Sequence, residues 1–125
     1  AIGLSSAIDF LNSIGFKLIE EHEKKITNFA LEELKKNKKI IIYGPNSNFE
    51  RKGIISFNLG EIHSHDVAQI LNDDALCVRA GHHCTKILHS RLGINSSVRI
   101  SFGIYNNFEE ISRLLESIKR IFNFF

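Results

Sequence analysis

Apolar residues recur every three or four positions in five stretches of the chain, a spacing typical of helices with one buried face. These stretches are 4–11, 17–36, 64–71, 85–92 and 107–122. Four other stretches are β-branched or alternate apolar with polar residues, which is typical of strands. They are 39–45, 53–60, 75–80 and 97–104. The order predicts an α/β fold with a roughly four-stranded antiparallel or mixed sheet flanked by helices.

Four residues at the edges of these stretches have the chemistry of helix ends. Ser64 is placed to cap the third helix, and Gly93 to end the fourth in a left-handed conformation. Asn107 and Glu110 have the spacing of a capping box for the last helix. The helix boundaries are therefore predicted independently of the apolar pattern.

Composition narrows the class of protein. The chain has 125 residues and a mass of 14.2 kDa. A chain of this length is expected to form a single domain, here over residues 1–125. The apolar runs are too short to cross a bilayer, so no membrane partner is expected. The net charge is +2 and the one dense basic run is "KKNKK" at 35–39. That run is typical of an exposed helix end, so no nucleic-acid partner is expected.

Two cysteines are too few for a disulfide scaffold and fit a reducing compartment. The chain contains no methionine and does not begin with a signal peptide, so we interpret it as a piece of a longer protein.

Cys84 closes the stretch "RAGHHC" at 79–84, where a predicted strand turns into a predicted helix. Unpaired backbone N–H groups and the helix dipole at such a turn favour a thiolate. A nucleophile and an inert buried cysteine are equally consistent with this pattern, because free cysteine is often buried.

Cys77 lies between Leu76 and Val78 and is predicted to be a core residue. A metal site built from Cys77, His82, His83 and Cys84 would have suitable ligand atoms. Adjacent ligands on one turn rarely converge on an ion, so no metal is expected there.

The other histidines give weaker signals. His63 and His65 could form a metal pair, but hydrogen bonding at a helix start is favoured for at least one of them. His22 and His89 are expected on helix surfaces. Arg79 and Arg99 lie on predicted strands near the Cys84 turn, where a guanidinium could bind a substrate carboxylate. Pairing with a local acid, or exposure at a sheet edge, is the alternative for both arginines.

Five segments in this order carry a resemblance to a known family. They are "YGP" (43–45), "ISFNLG" (55–60), "HSHDVAQIL" (63–71), "VRAGHHC" (78–84) and "VRISFGIYNNFEEI" (98–111). Together they resemble the C-terminal small domain of the SufS-type (group II) cysteine desulfurases, pyridoxal-phosphate (PLP) enzymes of the class V aminotransferase family. The resemblance covers essentially all 125 residues. Its most specific element is R-x-G-H-H-C with an arginine fifteen residues beyond the cysteine.

The resemblance implies a role for three residues in a fold-type I PLP enzyme. Cys84 would attack the sulfur of cofactor-bound L-cysteine and become a persulfide, leaving L-alanine. Arg99 would hold the substrate carboxylate, with Arg79 in support. The cofactor-binding residues, including the Schiff-base lysine, would lie upstream of Ala1, so none is expected in this chain and the chain alone is expected to be inactive.

The resemblance also implies partners and a cellular role. The sulfur would pass to an acceptor protein of the SufE or SufU type and on to iron–sulfur cluster assembly. A homodimer in the bacterial cytoplasm or the plastid stroma is the implied setting. Ile87 stands where relatives usually have proline, which affects the expected docking surface. Selenocysteine lyase or another PLP lyase, and a non-catalytic metal-binding or binding module, are the alternatives.

Overall fold

The computed structural model describes residues 1–45 and 51–124. Five helices and four strands follow one another along the described chain. They are α1 (Ile2–Ile14), α2 (Phe16–Lys35), β1 (Ile40–Tyr43), β2 (Ile54–Leu59), α3 (Ser64–Asp73), β3 (Arg79–Gly81), α4 (Lys86–Arg91), β4 (Ser97–Ser101) and α5 (Phe108–Phe124). The predicted α/β class is confirmed.

The four strands form one sheet in the order β1-β2-β4-β3, and every neighbouring pair is antiparallel. The sheet is therefore antiparallel rather than mixed. Residues directly opposite each other in such a ladder point to the same side, and successive residues alternate between sides. The register consequently assigns each strand residue to one of two faces.

One face of the sheet, which we call the core face, is covered by α2, α3 and α5. Phe57 on β2 is opposite Val98 on β4, and both are fully buried. The helices contribute buried aliphatic side chains at the predicted three- and four-residue spacing, including those of Leu31, Ile111 and Ile118. Burial of these apolar side chains supplies the main driving force for folding of the domain.

The opposite side, which we call the open face, carries the residues that alternate with the core residues. Ser56 and Asn58 on β2 and Arg99 on β4 belong to it and are half-buried. Ser97 also belongs to it, two positions before Arg99. Helix α4 packs here, because its residues line a cavity together with Tyr43 of β1 and Ser56 of β2.

Helix α1 lies apart from the core and has no buried residue. Gly15 breaks the helical run with a φ of 92°, and α2 then departs at 80° to α1. In the described part of the chain, no single helix is long and apolar enough to cross a membrane, although α1 and α2 pass that test together.

The strand predicted over 75–80 is mostly absent. Ala75 has a φ of 59°, and the Leu76 N–H donates back to the Leu71 carbonyl, so the chain leaves α3 through a turn. Pairing with β4 begins only at Arg79. Leu76 and Val78 are partly buried against the core and Cys77 between them is exposed, so residues 76–78 alternate like a strand without strand pairing.

The predicted helix ends are confirmed in two cases and wrong in one. Gly93 is left-handed with a φ of 69°, and Asn107 and Glu110 exchange the two bonds of a capping box. Ser64 is instead the first residue of α3, and the cap is His63, whose Nδ1 accepts from the His65 N–H.

Candidate active site

Cys84 lies at the tip of a tight turn between β3 and α4. The Thr85 N–H donates to the His82 carbonyl at 2.8 Å, and the two central residues, His83 and Cys84, have φ values of 50° and 61°. Two consecutive positive φ angles are the pattern of a type I′ turn, which usually contains asparagine and glycine. Cys84 is exposed, so it is not an inert buried cysteine.

Side chains next to Cys84 hold this turn. The Thr85 hydroxyl donates to the His82 carbonyl at 2.8 Å, so that carbonyl accepts two bonds from one residue. The His83 ring Nε2 donates to the Ser97 carbonyl at 3.0 Å, since a carbonyl can only accept. The turn is thus tied to β4 on the side that precedes Cys84.

Burial lowers the pKa of His83, and the nearby positive charges of Arg99 and Arg79 act in the same direction. The bond to the Ser97 carbonyl opposes them but does not reverse the shift. His83 is therefore neutral at pH 7, with Nε2 protonated and Nδ1 free to accept. It adds no positive charge beside the cysteine at that pH.

The two arginines predicted to lie near the cysteine are brought together by the sheet. Arg79 and Arg99 are directly opposite each other in the β3–β4 ladder, so their side chains leave the same face. Like charges placed in this way repel each other. Neither guanidinium pairs with an acid within residues 1–45 and 51–124.

Besides lacking an acidic partner among the described residues, Arg99 has a buried hydrogen-bond donor that is not satisfied there. Its Nε is buried and has no hydrogen-bond partner among the described groups. A buried, unbonded donor on a charged group is costly, and an anion bound there would satisfy it. The arrangement suits a carboxylate, because the guanidinium presents a planar fork of donors to two oxygens.

Two histidines predicted to be on the surface are not. His89 is only 5% exposed and bonds both Thr85 and Ser97. His22 is half-buried, and its Nε2 bonds the Asn106 carbonyl at 2.9 Å. The four-residue spacing of Thr85 and His89, which places both on one side of a helix, was the available signal for His89.

Cys77 was predicted to be a core residue and is exposed. It precedes β3 and borders a cavity lined by Ile100 and by Ile111 and Leu114 of α5, on the core side of the sheet. Cys77 and Cys84 are both exposed, so position rather than exposure separates them. Only Cys84 of the two lies in the turn whose His83 ring is bonded to Ser97 on β4, two positions before Arg99.

His63 has the helix-start role that the sequence favoured, since it caps α3. The rings of His63 and His65 meet edge to face at 5.1 Å. Over residues 1–45 and 51–124, no three histidine, cysteine, aspartate or glutamate side chains lie close enough to hold a metal ion.

Comparison with known proteins gives a consistent family. The aminotransferase class-V profile matches residues 1–114. A probable cysteine desulfurase from Staphylococcus epidermidis is 42% identical over 125 residues, which are all of this chain and 30% of that protein. A cysteine desulfurase from Haloferax volcanii is 41% identical over 117 residues, which are 94% of this chain and 27% of that protein. The chain thus spans about 30% of the length of these relatives.

Solved structures show the same fold. The apo cysteine desulfurase from Thermococcus onnurineus NA1 superimposes with a TM-score of 0.94 at 37% identity, over 99% of this chain and 31% of that one. The cysteine desulfurase CsdA (S-sulfonic acid) from Escherichia coli gives 0.87 at 23% identity, over 98% of this chain and 30% of that one. The second likeness concerns the fold alone.

Proposed function

Because this chain belongs to the aminotransferase class-V family, we propose that it is the small domain of a SufS-type cysteine desulfurase and supplies its sulfur nucleophile. One observation carries the proposal: an exposed thiol sits on a strained turn tied to the strand that bears an arginine with no acidic partner among the described residues. Cys84 provides the thiol and Arg99 the guanidinium. A site for an amino acid that must donate a sulfur atom needs these two groups.

Arg99 binds the carboxylate of L-cysteine in this proposal. The incoming carboxylate takes the hydrogen bond that Arg99 Nε lacks and screens Arg99 from Arg79 across the ladder. Arg79 supports binding through its charge and is more exposed, so its contribution is smaller. The two arginines therefore orient the substrate by one end and leave its thiol free to point at Cys84.

The sulfur step forms a bond between Cys84 Sγ and the substrate sulfur and breaks the carbon–sulfur bond of the substrate. The electron pair of the broken bond stays on carbon, which takes up a proton to give L-alanine. The overall balance is L-cysteine plus the Cys84 thiol giving L-alanine plus the Cys84 persulfide. No external oxidant or reductant is required.

Two lysines lie near this corner. Lys52 lines the cavity beside Thr85 and His89 but pairs with Glu20, and Lys86 is exposed on α4. Neither is a buried, unpaired amine that fits covalent attachment of the pyridoxal phosphate used by the family, so we assign the cofactor lysine to the rest of the enzyme. The chain on its own is expected to release no sulfide from L-cysteine.

Discharge of the persulfide to a protein of the SufE or SufU type, for iron–sulfur cluster assembly, is part of the same proposal. It is supported by the exposure of Cys84 and by the neighbouring surface of α4, where Ile87 is 79% exposed. An acceptor approaching the turn would meet that side chain. Homodimerisation and a cytoplasmic or plastid setting stay predictions from the family resemblance.

The test uses the full-length holoenzyme with L-cysteine and a thiol reductant, and measures L-alanine. Cys84→Ala is expected to lower the rate at least about 100-fold, since loss of a covalent nucleophile removes the pathway. Cys77→Ala, the matched control, is expected to keep the wild-type rate. Equal activity in both variants would contradict the role of Cys84. Preference for L-selenocysteine in direct competition would favour a selenocysteine lyase. If neither substrate gave a product, a non-catalytic module would be favoured.

A further inference from the structure

The Cys84 turn requires an external restraint. Its two central residues, His83 and Cys84, are both left-handed and neither is glycine. Such residues are each disfavoured and persist only where surrounding structure imposes the conformation. Helix α4 has six residues and is too short to be rigid by itself. Something beyond the local backbone must therefore hold the turn.

His89 is placed to hold the Cys84 turn. Its Nδ1 lies 3.0 Å from the Thr85 carbonyl, so Nδ1 carries the proton and donates. The backbone N–H of His89 donates to the same carbonyl at 3.1 Å. The backbone bond is one that any residue at this position of the helix can make, whereas the ring bond to Thr85, the residue that follows Cys84, requires the histidine side chain.

The other ring nitrogen of His89 reaches the sheet. With Nδ1 protonated, Nε2 is an acceptor, and the Ser97 hydroxyl is its donor at 3.0 Å. The carbonyl of Ser97 accepts the bond from His83. The residues before and after Cys84 are thus both anchored on Ser97.

Ser97 lies two positions before Arg99 on the same face of β4. This anchor therefore ties the turn that carries the thiol to the strand that carries the carboxylate-binding arginine. An enzyme that must bring a substrate sulfur to a thiol while holding the carboxylate gains rate from a fixed distance between these two points.

We propose that His89 is a positioning residue, which holds Cys84 in its left-handed, exposed conformation by bracing Thr85 against Ser97. The inference deepens the proposed function and rests on it for its catalytic part. Its conformational part stands on the described contacts alone.

Packing alone does not account for a histidine at this position. A leucine has a similar volume and would fill the space without buried polar nitrogens, whose burial is costly unless both are bonded. Both nitrogens of His89 are bonded, and each bond reaches one side of the site. The bonds, rather than the bulk of the side chain, distinguish histidine here.

The experiment uses the full-length holoenzyme and four variants: His89→Leu, His89→Asn, Ser97→Ala and, as a control on the exposed side of α4, Ser90→Ala. Hydrogen–deuterium exchange of residues 82–88 is measured first. His89→Leu is expected to speed exchange there about 10-fold, as loss of a buried bonded pair would. Peptides from α2 and α5 should exchange as in wild type, and Ser90→Ala should match wild type throughout.

The conservative variants make the test specific. In His89→Asn the shorter amide side chain can still bond the Thr85 carbonyl but falls short of Ser97. His89→Asn and Ser97→Ala should therefore show the same smaller increase in exchange, about 3-fold. Combining them should add nothing, because each removes the same link.

Kinetics separate positioning from general destabilisation. We expect kcat for L-cysteine to fall about 10-fold in His89→Leu with KM within about 2-fold, because the carboxylate site is left intact. Unchanged exchange at 82–88, increased exchange throughout the domain, or an unchanged kcat would overturn the inference. A wild-type enzyme without activity would refute the proposed function, whereas the exchange data would still decide whether His89 holds the turn.

Discussion

The two faces of the sheet are built from alternate residues of the same strands and differ in almost every property. On β4, Val98 and Ile100 face the helices and are at most 4% exposed. Arg99, between them, faces the open side, and its Nε has no hydrogen-bond partner in the part of the chain that the structure describes. The core face is lined by closely packed apolar side chains, whereas the described part of the open face leaves the charge of Arg99 without an acidic partner.

Stability and strain are concentrated on opposite faces of the sheet. The core face has the well-packed apolar side chains that hold the sheet to α2, α3 and α5. The open face has a like-charge pair across β3 and β4 and, beside it, a turn with two left-handed residues. Such features reduce stability, and they cluster where a ligand or reaction can use them.

The largest effect is expected from breaking the core face. Phe57→Ala removes a fully buried aromatic ring from the centre of the sheet and should lower the free energy of unfolding by about 3–5 kcal/mol. Urea denaturation followed by circular dichroism measures it. Ser56→Ala, the adjacent open-face residue, is the control and should change far less. A loss below about 1 kcal/mol for Phe57→Ala would show that the core-face assignment is wrong.

The next effect belongs to the open face and should appear in binding instead of stability. If Arg99 binds the substrate carboxylate as proposed, Arg99→Leu removes those charged bonds and should raise KM for L-cysteine about 10- to 100-fold. It also removes the repulsion by Arg79, so the melting temperature should not fall. Arg79→Leu is the comparison and should affect KM less. A large drop in thermal stability with an unchanged KM would mean that Arg99 is a structural residue.

The smallest effect is the pH dependence of stability, and it is expected at the contact between α3 and α5. Hydrogen bonds from Arg120 and Ser117 lower the pKa of Asp74, which links the end of α3 to α5. The stabilisation from a carboxylate with a lowered pKa is complete above its unfolded value of about 4 and is lost as the pH falls through the folded value.

Asp74→Asn should therefore lower the melting temperature slightly at pH 7 and leave it unchanged at a pH below both values. Asp73→Asn is the control, since that carboxylate accepts from the neutral amide of Gln69. Differential scanning calorimetry at the two pH values compares them. An equal shift at both pH values would exclude the ion pair as the cause.

Periodicity was enough to predict the core face. The patterns that reveal it are local in sequence, so they can be read from one chain. They are the apolar spacing of α2 and α5 and the alternation along β2 and β4. The strand predicted over 75–80 begins only at Arg79, because Ala75 turns the chain as it leaves α3 and an apolar run does not record where pairing starts.

The candidate site was predictable in its residue types but not in its geometry. Cys84, Arg79 and Arg99 were identified from sequence, whereas the register that sets the two arginines opposite each other depends on strand pairing over twenty residues. The burial of His89 depends on α4 packing against Ser97. Polar groups that bond across elements leave no periodic signal, so this network could only be found in three dimensions.

The most direct test of the account is peptide mass spectrometry of the full-length holoenzyme after brief exposure to L-cysteine. If Cys84 is the sulfur nucleophile, the peptide that contains position 84 gains one sulfur atom in the wild type and in Cys77→Ala, and none in Cys84→Ala. Additional sulfur on the Cys77 peptide, or on neither peptide while L-alanine is formed, would contradict it.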